Sequence, residues 1–158
     1  TLPFVALTFV LVISFRSIFL ETKDLPSLPP DQRFGYGSLV DIFQEWSEAQ
    51  RQAYIRSSSI DLFPFMQCYT LWLGALLVRV KPNYFWLPLV VLAFDFVETY
   101  IPCWACQEYP RPIGSFWNVL SSLSNQGKWL FLSATIASLL HGWYQKRNAS
   151  KLVDAKPY

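Results

Sequence analysis

The chain has 158 residues, a formal net charge of +2, 53% hydrophobic residues and 15% charged ones, against about 25% charged in soluble domains. The small charge and the lack of a long basic run exclude a nucleic-acid-binding footprint. Three cysteines do not make a disulfide framework. Trp, Tyr and Phe reach 18%, which suits side chains lying along membrane interfaces. The expectation is one domain in the all-α class, an integral membrane four-helix bundle with one interfacial amphipathic helix. The chain starts at Thr1, so a trimmed or longer precursor is expected.

Leu2–Leu20 carries one charge, Arg16, and just spans a hydrocarbon core of about 30 Å. A removed signal sequence is the rival reading, but no small-residue cleavage site follows. Glu21–Gly37 holds three prolines and two glycines and reads as a loop, ordered by Phe34 and Tyr36. Ser38 then opens a helix with a capping-box-like S-L-V-D. Within about 38–56, Ile42, Phe43, Trp46, Ala49 and Ala53 follow helical spacing, opposite Asp41, Glu45, Glu48, Arg51 and Gln52. This predicts an amphipathic helix lying on a membrane surface or docked on a partner.

The second crossing is expected at about 60–80, with Asp61 at its mouth and Pro64 in its first turns, where early N–H groups lack partners anyway. The third, about 84–104, carries Asp95 and Glu98 three residues apart, on one helix face. In lipid such a pair is kept only against a partner, a proton or a water-filled cavity. The crossing is expected to end near Pro102, followed by Cys103–Cys106 and a rigid loop. The fourth, about 115–144, has an apolar second half. Its first half repeats Asn118, Ser121, Ser122, Asn125 and Lys128 at three- and four-residue spacing. Turning that stripe inward makes Lys128 a counter-ion for Asp95 or Glu98. Residues 1–144 then form the membrane domain, and 145–158 a polar tail.

Alternation puts both termini and the Arg79–Asn83 turn on one side, with Lys81, Lys146, Arg147, Lys151 and Lys156 opposed by Asp154. The positive-inside rule makes this the matrix, stroma or cytoplasmic side. A mitochondrial inner membrane or thylakoid is favoured, with a bacterial inner membrane as the other location.

The segments RFGYGSLVDIFQEWSEAQRQAYIRSSSIDLFPF, FDFVETY and GKWLFL, in this order and spacing, resemble a group of small uncharacterised four-helix integral membrane proteins known mainly from bacterial genomes. The similarity covers roughly residues 30–135. Asp61 and Pro64 stand one residue closer than the group's pattern, and Thr99 follows Glu98 where asparagine is common. The resemblance implies the fold and the importance of Asp61, Asp95, Glu98 and Lys128. It implies no activity.

The cluster Asp61, Asp95, Glu98, Asn125 and Lys128 reads first as a structural polar network that sets helix register, since hydrogen bonds between membrane helices contribute only about 0.6 kcal/mol each. A proton, ion or headgroup site is the second reading. Cys103 and Cys106 read as packing thiols or a disulfide. Redox catalysis is disfavoured, because an active pair usually sits at a helix N-terminus. His141, the only histidine, reads as complementing the last turn of a helix, with haem or chlorophyll ligation as the alternative. Metal ligands cannot be named, and a Ser/His/Asp set, phosphate loop or HExxH is missing. The expectation is a non-catalytic accessory subunit of a larger membrane complex of respiratory or photosynthetic type. It would have other membrane subunits as partners and bind lipid or pigment at its seams. The alternative is a stand-alone small transporter or membrane enzyme using the inward Asp/Glu/Lys cluster. A Cys-x-x-Cys thiol oxidoreductase is the minor alternative.

Overall fold

Arg16 and Glu21 are the only charges in the first helix, α1 (Leu2–Thr22). Hydroxyls along it are satisfied within the helix: Thr8 donates to the Phe4 carbonyl at 2.8 Å and Thr22 to that of Ile18 at 2.9 Å. The structure, a computed structural model, describes residues 2–30, 33 and 38–154, and every regular element among them is helical. Phe34 and Tyr36, expected to order the loop, lie outside the described residues.

The expected amphipathic helix is two helices, α2 (Leu39–Gln44) and α3 (Glu48–Ile60). Ser38 caps α2 by accepting from the Asp41 N–H. The break comes from Ser47, which forms a full capping box with Gln50: each side chain bonds the other's backbone N–H, at 3.3 and 2.8 Å. The break rotates the face. Phe43, Trp46 and Tyr54 are buried, while Ala49, expected with them, is exposed. Arg51 closes the corner by donating to the carbonyls of Phe43 and Trp46 and lying 4.4 Å from the Tyr109 ring. The apolar face is not left for a partner. It packs on Ile101, Ala105 and Cys106 of α5 (Leu87–Glu108).

Helix α3 runs into α4 (Met66–Val80) through a wide turn at Asp61–Phe65. Phe63 is extended there (φ −160°, ψ 118°), the conformation favoured before proline, and Pro64 breaks the helix instead of riding in its first turn. Helix α5 continues through Pro102 to Glu108, four residues beyond the expected end. Helix α6 (Ser115–Asp154) runs for 40 residues, about 60 Å, so residues 145–154 are helix where a tail was expected.

Three stretches are long and apolar enough to cross a membrane: Pro3–Thr22, Glu48–Val80 and Pro82–Glu108. Helix α6 is long enough, but its polar stripe lowers its hydropathy below theirs. That stripe is turned inward, with Ser121, Ser124, Asn125 and Lys128 buried, while Phe116, Val119, Leu123, Leu130 and Leu140 face out.

Contacts fix which ends lie together. Phe4 stacks on Trp72 and lies 5.8 Å beneath Arg79, and Gly142 meets Val80 and Lys81. At the opposite end Arg56 pairs with Glu21 at 2.8 Å, and Leu39 N–H donates to Asn118 at 3.3 Å. Glycines let α6 come close. A Cβ on Gly142 would stand 3.0 Å from the Val80 carbonyl and 2.7 Å from Lys81 Cγ, and one on Gly127 would strike the Phe94 ring at 2.8 Å. Gly142→Ala is expected to lower stability by about 1–3 kcal/mol. Gly74→Ala meets nothing within 4 Å and is expected to be neutral or stabilising. Thermal unfolding of the two variants in one detergent checks the contrast. Equal midpoints would mean that α6 does not sit this close to α4.

Candidate functional site

Helix α5 presents Asp95, Glu98 and Thr99 on one face, and α6 presents Asn125 and Lys128 against it. Asp95 is 4% exposed, Glu98 0%, Asn125 0% and Lys128 9%. The Lys128 ammonium lies between two carboxylates, 3.2 Å from Asp95 Oδ1 and in direct contact with Glu98 Oε1. The second Glu98 oxygen accepts from Asn125 Nδ2 at 2.6 Å, and the same amide reaches the Pro30 carbonyl at 3.3 Å. The second Asp95 oxygen accepts from the Tyr69 hydroxyl. A continuous chain of contacts therefore runs from Tyr69 on α4 through Asp95, Lys128, Glu98 and Asn125 to Pro30 in the first connection. Pro102 adds a local effect: having no N–H, it supplies no helical hydrogen bond to the Glu98 carbonyl.

Asp61 belongs to the edge of this group. It is half-buried at the α3–α4 turn and accepts from Thr99 Oγ1 at 3.2 Å. Of the expected cluster, Asp95, Glu98, Asn125 and Lys128 meet directly, and Asp61 is joined to their helix by Thr99.

Beside the chain lies a cavity of about 990 Å³, at the upper end of the roughly 300–1,000 Å³ typical of ligand pockets. It exists because α1 packs on α3 and α4 while α6 packs on α5 and α4, leaving α1 and α6 apart. Leu11, Phe15 and Phe19 of α1 form one wall, Trp129 and Leu132 of α6 the other. Tyr69, Trp72, Asp61, Asp95 and Lys128 form the floor. The connection Lys23–Pro29 crosses one end. A largely apolar cavity with convergent charged groups at one place has the form of a ligand site.

Sequence periodicity alone did not point to Tyr69, Thr99 or the cavity walls. A signal for the first two was present: Tyr69 stands two helical turns after Asp61, and Thr99 one turn after Asp95.

Cys103 and Cys106 are free, buried thiols inside α5, not a disulfide in the following loop. Cys106 Sγ faces the Arg51 carbonyl at 3.8 Å, and Gln107 Nε2 lies 3.9 Å from Cys103 Sγ. Because the helix outlasts Pro102, both sulfurs point into the α3–α5 seam. His141 is exposed on α6 and precedes the helix end at Asp154 by several turns, so it does not complement a last turn. The structure brings it to neither the cavity nor the cluster. No protein-family model matches the chain, and neither curated proteins nor solved structures provide a match.

Proposed function

We propose that the protein is an integral membrane four-helix bundle, with α1, α4, α5 and α6 as its crossings and α2 and the start of α3 at one membrane face. It acts on its own, as a small transporter or membrane enzyme that takes a lipophilic ligand into the α1/α6 cavity and holds it at the Asp61/Asp95/Lys128 floor. The inverted polarity supports the membrane part. Charges are inside, and Val5, Phe9, Phe15, Leu130, Leu140 and Trp143 are outside. A hydrocarbon surround accepts that arrangement, whereas water penalises it. The charged residues Arg79, Lys81, Lys146 and Arg147 gather at one end, which the positive-inside rule assigns to the cytoplasm, matrix or stroma.

One observation carries the ligand part: a cavity of this size opening directly on the charged chain. A network serving only to lock helices together has no use for such a space beside it. The accessory-subunit reading rests on the exposed apolar surface, which lipid covers equally well, so the stand-alone reading is preferred.

The test is extraction in a mild detergent, then size separation and mass spectrometry of what travels with the protein. The expected result is a monomer or small homo-oligomer carrying a low-mass amphiphile that Leu132→Trp, which fills the cavity, excludes. Migration within a large hetero-oligomer would restore the accessory-subunit reading.

A further inference from the structure

From the charges around the cavity we infer that its ligand is a cationic amphiphile: an alkyl chain along α1 and α6 with an amine or quaternary ammonium head at Asp61 and Asp95. This rests on the ligand-cavity reading above and names the chemistry of that ligand.

The floor is acidic on balance. Asp61, Asp95 and Glu98 stand against Lys128 alone, leaving two formal negative charges in a region walled by apolar side chains. Lys23, at the cavity's end, does not offset them: it is half-exposed and lies 3.9 Å from Asp24. The Lys128 ammonium is an unsuitable anion receptor, because Asp95 and Glu98 already hold it from two sides. An anionic head entering to reach it would meet Asp61 and Asp95 first, and like charges at close range in a low-dielectric cavity repel strongly. A cationic head meets the opposite situation and offsets the acidic excess.

The second observation is aromatic. Phe65, Tyr69, Trp72 and Trp129 line the same cavity as the two carboxylates. Aromatic faces beside carboxylates are the surroundings that recognise ammonium groups. The site already contains such a pairing, since Lys128 Nζ lies 5.3 Å from the Trp129 ring centre. The tail follows from the walls: Leu11, Val12, Phe15, Ile18 and Phe19 make a continuous apolar track on α1, several of them exposed along its length. A single alkyl chain can enter sideways there, between α1 and α6, without crossing the polar floor.

The experiment uses the full chain in phosphatidylcholine nanodiscs, whose neutral lipid gives an amine no bulk electrostatic advantage. Dodecylamine, dodecyltrimethylammonium, dodecanol and dodecanoate are each titrated against the wild type and against Leu132→Trp, which subtracts partition into lipid. Both ammonium compounds are expected to bind the wild type about tenfold or more tighter than the alcohol and the acid, and to lose that binding in Leu132→Trp. Asp61→Asn should narrow the preference for cations. Should that variant fold poorly, a diazirine-bearing dodecylamine on the wild type gives the same information. Its expected crosslinks fall in residues 61–73 and 128–132, and dodecyltrimethylammonium competes them away. If the alcohol or acid binds as tightly as the amines, the cationic class is wrong while the cavity reading survives. If none of the four binds above the Leu132→Trp background, both are wrong.

Discussion

Replacing Lys128 with methionine is expected to lower the stability of the folded protein by about 3–5 kcal/mol and to cut the yield of monodisperse protein sharply. The reason is not that the ion pairs contribute a great deal. Taking three charged groups out of water costs nearly as much as their attraction returns, and a well-packed apolar replacement of the whole set could be neutral. The cost arises because one partner is removed. Asp95 and Glu98 are almost fully buried, and without the ammonium between them two carboxylates face each other with no cation. A single hydrogen bond between membrane helices, at about 0.6 kcal/mol, is several times too small to produce such a loss. The double variant Lys128→Met/Asp95→Asn should recover part of it, because a neutral amide can still accept from Tyr69. Thermal unfolding of both variants, followed by tryptophan fluorescence in one detergent, is the measurement. A Lys128→Met protein with the wild-type midpoint would mean that the three groups are not packed together.

The second large effect is expected at Phe43. Its side chain is fully buried between Trp46, at 5.2 Å ring to ring, and Tyr54, at 5.9 Å, and it belongs to the cluster that seats α2 and α3 on α5. Phe43→Ala should cost about 3–5 kcal/mol, the range for emptying a buried aromatic site. The loss should also be local. Helix α2 has only six residues and little helical stability of its own, so it should detach before the long helices separate. Cys106 reports this directly, because its sulfur is buried against the Arg51 carbonyl in the seam that would open. A maleimide should react with Cys106 slowly in the wild type and quickly in Phe43→Ala. Unchanged labelling alongside a lowered midpoint would show that the two helices stay seated and that the loss lies elsewhere.

The polar centre was legible because its information is local. Two carboxylates three residues apart must share a helix face, and polar residues recurring at three and four on another apolar helix must share one too. The cost of exposing either to hydrocarbon leaves few ways to combine them. Pairing Lys128 with Asp95 and Glu98 follows from that alone. The break at Glu45–Ser47 was harder, although its signal was present. Ser47 and Gln50 form a capping box in plain view, but the apolar spacing through Trp46 and Ala49 also fits one unbroken helix, and periodicity does not register a cap that interrupts it. Pro102 misled in the opposite way. A proline inside a helix removes one bond and strains one turn, which packing of Ile101, Ala105 and Cys106 against α2 and α3 can outweigh. The cavity had no local signal. It exists because α1 and α6, at opposite ends of the chain, each pack on α4 and not on each other.

Separation along the chain has a consequence for biosynthesis. Glu98 precedes Asn125 by 27 residues and Lys128 by 30. At about 5–20 residues per second, a ribosome needs a few seconds to supply the counter-ion after the acid has been made. During that interval α5 is an apolar segment carrying two carboxylates, which a translocon releases reluctantly into lipid as a lone span. The Tyr109–Gly114 connection is short enough for α5 to wait at the exit until α6 arrives and the two leave as a hairpin with their charges already joined. A nascent chain stopped before Lys128 can never make that pairing, and membrane quality control would find it by its stranded carboxylates.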